Sequence, residues 1–224
     1  MTLGLVGAIA AVFAYELVLE VGGGIDGLDE FFETFGVIPA DITAAASAGT
    51  LAGLTGLTLI TYQFLHAGFL HAAGNLLFLW IFGNNVEDRL GRLGFLVFYL
   101  WAGILAALTQ VVIDPLSEIP LVGASGAISG VLGVYVVMFP RARIVSIVFL
   151  VFFFQIVSVP AVVLLSFWFV LQIVDGLTAL GAPPDVAGGV AFFAHIGGFL
   201  AGVVVALAIR AVERTVGRGR ARVG

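Results

Sequence analysis

Inside the apolar stretches of this chain, only a few residue types could do chemistry. Ser125 and Ser129 lie in Gly123-Ala-Ser-Gly-Ala-Ile-Ser-Gly130, and His195 lies in Ala194-His-Ile-Gly-Gly198-Phe-Leu-Ala-Gly202. His71 and Asn75 are one helical turn apart and share a face. A serine hydroxyl is a weak nucleophile until a base within hydrogen-bond reach takes its proton. His195 is the better base for Ser125, because small residues surround it on a helix of its own. Gly126-Ala-Ile-Ser-Gly130 and Gly198-Phe-Leu-Ala-Gly202 are both small-xxx-small patterns, which let helix backbones approach closely. If those faces meet, Ser125 and His195 meet with them. His71, Asn75 and the backbone N–H of Ser125 would then be donors for a developing oxyanion. Gly123 suits a tight bend just before that helix.

Each signal also has a plainer reading. A membrane serine commonly bonds back to its own helix carbonyl, an asparagine is often inter-helical glue, and a small-xxx-small pattern is often packing alone. Other site chemistries fare worse. No His-Glu-x-x-His occurs, so a zincin is excluded. Asp175 and Asp185 do not form the paired aspartates of an aspartyl protease. The three histidines leave metal or haem binding as a minor alternative, with no carboxylate or cysteine placed to complete a shell. No cofactor and no metal are expected.

The elements that must carry these residues are membrane helices. Of 224 residues, 61% are hydrophobic and 10% charged, with a mean hydropathy of +1.19. Soluble domains carry about a quarter charged residues, so lipid is the solvent for most of this chain. That excludes a soluble enzyme and a disordered chain, and the net charge of -5 argues against a nucleic-acid partner. Cysteine is absent.

Lysine is absent too, and the arginines form three groups: Arg89 and Arg92; Arg141 and Arg143; and Arg210 to Arg222. Between them run Leu3–Leu19, Leu70–Val86, Gly94–Ile113, Ala124–Phe139, Val157–Val174 and Val190–Ala211, most with the roughly 17–25 residues of a span. Arginines after the second, fourth and sixth runs place both termini in the cytoplasm. The acidic loops Gly22–Gly56, Asp114–Leu121 and Asp175–Gly189 then face outward. The expected organisation is one membrane domain over 1–224, with an outer loop at 22–56 and a basic cytoplasmic tail at 212–224. The first run lacks a basic lead-in and ends with Glu16 and Glu20, so a cleaved signal peptide is not expected.

Within the first loop, Leu28, Phe31, Phe32 and Phe35 fall at helical spacing among acids. This reads either as an amphipathic helix on the interface or as a cap on the bundle. Phe149–Gln155 reads as an interfacial or re-entrant lead-in to the fifth span. No internal repeat is visible, which counts against an inverted-repeat transporter.

Depth brings the polar residues together. Ser125 is 16 residues before Arg141, His195 is 15 before Arg210, and Asn75 is 14 before Arg89. At about 1.5 Å per residue, all three lie roughly 21–24 Å above the inner boundary. His71 lies about one turn higher. Three helices thus deliver Ser, His, Asn and a second His to the outer third of a core about 30 Å thick. A pore would need polar residues through the full depth.

These residues resemble a known family, the rhomboid intramembrane serine proteases. His66-Ala-Gly-Phe-Leu-His71-Ala-Ala-Gly-Asn75 is similar to its His-x4-His-x3-Asn stretch, and Trp80–Gly91 to the segment closing its second helix. Gly123-Ala-Ser125-Gly126 resembles its Gly-x-Ser-Gly nucleophile motif, and the Ala194–Gly202 stretch its His-x-x-Gly-x-x-x-Gly. Met1–Thr50 matches least. The resemblance implies an all-α membrane protein, a six-helix rhomboid bundle whose cavity opens to the outside. It implies a Ser125–His195 dyad with no acid, an oxyanion hole from His71 and Asn75, and a structural His66 holding the first loop. Phe167, Trp168 and Gln172 on the fifth span would resemble a lateral gate. Substrates would be single-span membrane proteins in the bilayer, cut near the outer end of a span where small or helix-breaking residues allow local unwinding. The implied location is a prokaryotic plasma membrane, multi-pass. The alternative is a non-catalytic rhomboid-like protein that binds transmembrane helices. Some members carry an aromatic residue four positions after the nucleophile, stacked on the histidine. Here that position is Ser129, so another residue orients His195 or the ring is less constrained. Ser129 is also a possible decoy nucleophile, but it lacks the preceding glycine.

Overall fold

The computed structural model describes residues 1–150, 153–180 and 190–220. Most of the Asp175–Gly189 loop, the end of the 212–224 tail, and Val151 and Phe152 of Phe149–Gln155 lie outside it. The elements are α1 (Thr2–Phe35), α2 (Pro39–Ala48), α3 (Leu54–Thr61) with a 3-10 turn (Tyr62–Phe64), α4 (Phe69–Leu90), α5 (Arg92–Ile113) and α6 (Ser125–Met138). A hairpin of β1 (Arg143–Leu150) and β2 (Phe153–Pro160) follows, then α7 (Ala161–Ala179) and α8 (Phe192–Arg220). By length and composition α1, α5, α7 and α8 are each able to cross a membrane. α3 with its turn joins α4 at an 82° bend, and α6 is apolar but short at 14 residues. The protein is a mostly helical membrane protein.

α6 is the centre. It is apolar on every side, and a helix of that kind must be surrounded. Every residue from Gly126 to Tyr135 is buried. α4, α5, α7 and α8 pack around it, α8 most closely. Because neighbours enclose it, its short length need not reach a membrane surface at either end. Its first turn can therefore open inside the bundle. Polar contacts tie the far end together: Thr2 donates to Glu87 of α4 through its amide at 2.7 Å and its hydroxyl at 2.8 Å, and Arg89 of α4 pairs with Glu213 of α8 at 2.9 Å.

Two expectations are corrected. The fold is not purely helical, because Phe149, Leu150 and Phe153–Gln155 lie in paired antiparallel strands that set Arg143 against Pro160 and Leu150 against Phe153. Ile, Val and Phe dominate those strands, and such side chains favour a pleated surface over a helix. The fifth helix therefore begins at Ala161 and runs to Ala179, where Val157–Val174 had been expected. Pro160 supplies the break, having no N–H to give a helix and extended backbone at φ -59°, ψ 138°. The segment around Leu28–Phe35 is helical, as its spacing predicted, and a break at Gly24, whose φ of 68° is readily adopted by glycine, sets it off from the first part of α1.

Candidate active site

Ser125 is the first residue of α6, and the chain before it is tied down on two sides. Val37 and Leu121 exchange backbone hydrogen bonds at 3.0 and 2.7 Å, and the Gly123 amide donates to the Tyr62 carbonyl at 2.9 Å. Tyr62 is itself anchored by its hydroxyl, which donates to the Gly103 carbonyl of α5 at 2.6 Å. Gly123 has φ +133°, and a Cβ there would lie 2.8 Å from Cε1 and Nε2 of the His71 ring. Both the turn and the approach of His71 require glycine. Ser125 Oγ lies 3.5 Å from the same point, so His71 and Ser125 both approach the side of Gly123 where a Cβ would stand.

His195 is presented by the first turn of α8. A Cβ on Gly198 would collide with the Gly126 carbonyl, and one on Gly202 with the Gly130 carbonyl. The two small-xxx-small faces thus meet, as their pattern allowed, and bring the two side chains together. His195 Nε2 is 2.8 Å from Ser125 Oγ. His195 Nδ1 is 2.6 Å from Gln172 Oε1 on α7. The Trp168 ring lies beside the imidazole with centroids 6.1 Å apart. Ser125 and His195 are each half-buried, so the pair stays reachable from outside the protein core.

The remaining candidates divide. His71 is drawn in against Gly123, and its ring meets that of His66 edge-on at 5.1 Å. Asn75 is buried one turn further along α4, and its amide donates to the His71 carbonyl at 3.0 Å. Ser129 is buried and donates to the Ser125 carbonyl of its own helix at 2.6 Å, away from any base. Phe167 is exposed on the outer face of α7, whereas Gln172, grouped with it in sequence, is buried against His195. Among the described residues, no three His, Cys, Asp or Glu side chains converge as a metal shell would need.

The role of one residue escaped the sequence reading. Glu16 of α1 is buried and accepts the His66 backbone N–H at 3.0 and 3.3 Å on its two oxygens. It thereby ties α1 to the turn that leads into α4. An acid among apolar residues in the first run was the available signal, since such groups are kept in lipid only when partnered.

The fold and the polar pocket define a helical membrane protein with a serine and a histidine joined across two helices. The rhomboid domain matches over residues 53–212, and the chain belongs to the rhomboid family. That region holds Ser125, His195, His71 and Asn75, and leaves α1 and α2 before it. The chain is 45% identical over 75 residues to Rhomboid protease GluP of Bacillus subtilis, covering 34% of this chain and 14% of that protein. It is 35% identical over 97 residues to Rhomboid protein 1, mitochondrial, of Saccharomyces cerevisiae, covering 42% and 28%. With Presenilin-associated rhomboid-like protein A, mitochondrial, of Danio rerio it shares 32% identity over 155 residues, covering 66% and 36%. The matches thus span well under half the length of each relative.

Proposed function

We propose that the protein is an intramembrane serine endopeptidase that cuts transmembrane segments of membrane proteins near the outer face. The observation that carries this reading is the 2.8 Å contact between Ser125 Oγ and His195 Nε2 at the head of a buried helix. As Oγ attacks the scissile carbonyl carbon, its proton passes to Nε2 and the carbonyl oxygen takes the negative charge. His71, Asn75 and the N–H of Ser125 surround that oxygen as donors. Nε2 then returns the proton to the leaving amine as the C–N bond breaks. Water repeats the sequence on the acyl-serine and frees Ser125.

The rest of the reading follows the same residues. Six membrane-crossing segments, α1, α4, α5, α6, α7 and α8, would put both termini in the cytoplasm of a prokaryotic plasma membrane. The Arg89–Glu213 pair supports this by placing two of the arginine-bearing ends side by side. Exposed Phe167 supports α7 as the side from which a single-span substrate enters. His66, buried and bonded to Glu16, fits a structural role. Relatives named as proteases favour catalysis over a helix-binding function without cleavage.

The test needs no known substrate. Purified protein in mild detergent is treated with a fluorophosphonate, alongside Ser125→Ala and His195→Ala. Labelling of the wild type alone is expected. Cleavage of a generic transmembrane substrate in liposomes should fall at least about 10³-fold in both variants. Folded wild-type protein that neither labels nor cleaves points to the non-catalytic helix-binding alternative.

A further inference from the structure

The second nitrogen of His195 has a partner that the dyad reading leaves unexplained. Nδ1 lies 2.6 Å from Oε1 of Gln172, a side chain almost wholly buried in α7. A primary amide in an apolar helix is costly unless its polar atoms are paired. Gln172 is one of only four buried residues on that helix, with Ala161, Leu165 and Gly176. An amide oxygen accepts and does not donate, so this contact requires the imidazole proton to sit on Nδ1. Nε2 is then the bare nitrogen, and it is the one facing Ser125 Oγ at 2.8 Å. The opposite tautomer would set lone pair against lone pair at Gln172 and present an N–H to the serine it has to deprotonate.

We infer that Gln172 is a positioning residue: it fixes the tautomer and the ring orientation of His195. This rests on the Ser125–His195 reading and adds its third member. The role is the one a buried carboxylate plays in a triad, holding the tautomer, but here the partner is neutral. Ser129 stands where an aromatic could have stacked on the ring, and it turns instead to its own helix carbonyl. The restraint on His195 comes from α7, from the Gln172 acceptor and from Trp168 alongside. His71, beside Gly123, is a further titratable group facing this pocket.

The test combines kinetics with ¹⁵N NMR of labelled histidine in the full-length protein in detergent. Gln172→Met keeps the length of the side chain and removes the acceptor, while Gln172→Glu keeps an acceptor oxygen. In the wild type, His195 should resonate as the Nδ1-protonated tautomer. Gln172→Met should give mixed tautomers and lower kcat about 10–100-fold with KM within about twofold, as a misaimed base does. Gln172→Glu should restore the single tautomer and most of the turnover. A wild-type His195 protonated on Nε2, or a Gln172→Met enzyme with unchanged kcat, overturns the inference. If Gln172→Met fails to fold, the tautomer in the wild type and in Gln172→Glu decides it. If instead Ser125→Ala and His195→Ala leave cleavage intact, the dyad reading falls, and the tautomer measurement still judges Gln172 by itself.

Discussion

α6 and α7 each supply one end of the hydrogen-bonded chain Ser125–His195–Gln172, yet they are held in opposite ways. α6 buries an unbroken run from Gly126 to Tyr135, while α7 buries only Ala161, Leu165, Gln172 and Gly176. The seam of α6 with α8 is backbone on backbone, with Gly198 on the Gly126 carbonyl and Gly202 on the Gly130 carbonyl. α7 is fastened at its start, where the Ala161 amide donates to the Ala142 carbonyl at 2.8 Å and the Val162 amide to the Pro140 carbonyl at 3.2 Å. Further along, its main fixings are Phe169 stacked on Phe199 at 4.4 Å and the Gln172–His195 bond. In lipid, covering an apolar side chain gains little, because the acyl chains it leaves are as apolar as the helix it meets. Close packing and hydrogen bonds hold helices together there. Ser125 and His195, the proposed nucleophile and base, therefore sit on the tightest seam of the bundle. Gln172, the acceptor inferred to orient His195, sits on a helix held more lightly than α6.

The severest way to break this comparison is to spoil the seam. Gly198→Leu drives a side chain into the Gly126 carbonyl. Overpacking of that kind costs about 1–3 kcal/mol, or more where only backbone can yield. Cleavage should fall more than about 100-fold, because Ser125 and His195 part by more than a hydrogen bond tolerates. The thermal midpoint, followed by circular dichroism in detergent, should drop by about 5–10 °C. Survival of both activity and midpoint would mean that the α6–α8 contact is not what joins the two side chains.

A milder substitution sharpens the other side. Phe167 is 62% exposed on α7. Phe167→Ala should move the midpoint by no more than about 2 °C, as exposed positions do. Turnover of a liposome substrate should stay within about threefold. A fall as large as that of Gly198→Leu would show that α7 is packed as firmly as α6, and the contrast would vanish.

How much of this was legible beforehand follows the same divide. The seam was, because glycines at a spacing of four are a pattern in one dimension that maps directly onto one helix face. Gly123 was readable for a related reason, since a tight bend beside a nucleophile has few other residues to use. Gln172 was grouped with gate residues and its contact with His195 went unread, because nothing local distinguishes an amide facing lipid from one facing a histidine 23 positions on. The hairpin was missed because the stretch from Ile144 to Pro160 is apolar but for Ser146, Gln155 and Ser158, and hydropathy alone cannot separate a strand pair from a helix. Glu16 was seen but read for its charge; its partner is a backbone N–H fifty positions away. Local pattern carried the seam, and long-range hydrogen bonding carried what was missed.

The smallest effect belongs to Ser129, and it separates the nucleophile from its neighbour. The two serines are one turn apart on α6, but their hydroxyls face different partners. Ser125 Oγ meets His195 Nε2 at 2.8 Å, and Ser129 Oγ gives its proton to the Ser125 carbonyl at 2.6 Å. No base stands beside Ser129 to accept that proton, so its oxygen stays a weak nucleophile. Ser129→Ala removes one side-chain bond to a carbonyl that α6 also satisfies from its own backbone. No buried partner is orphaned, and alanine leaves space for barely one atom. The cost should be about 0.5–1.5 kcal/mol, the net worth of such a bond, or a midpoint lower by a few degrees. Turnover and fluorophosphonate labelling should stay within about twofold of wild type. Labelling that disappears in Ser129→Ala and persists in Ser125→Ala would move the nucleophile one turn along α6, and would break the pairing with His195 on which the comparison of the two helices rests.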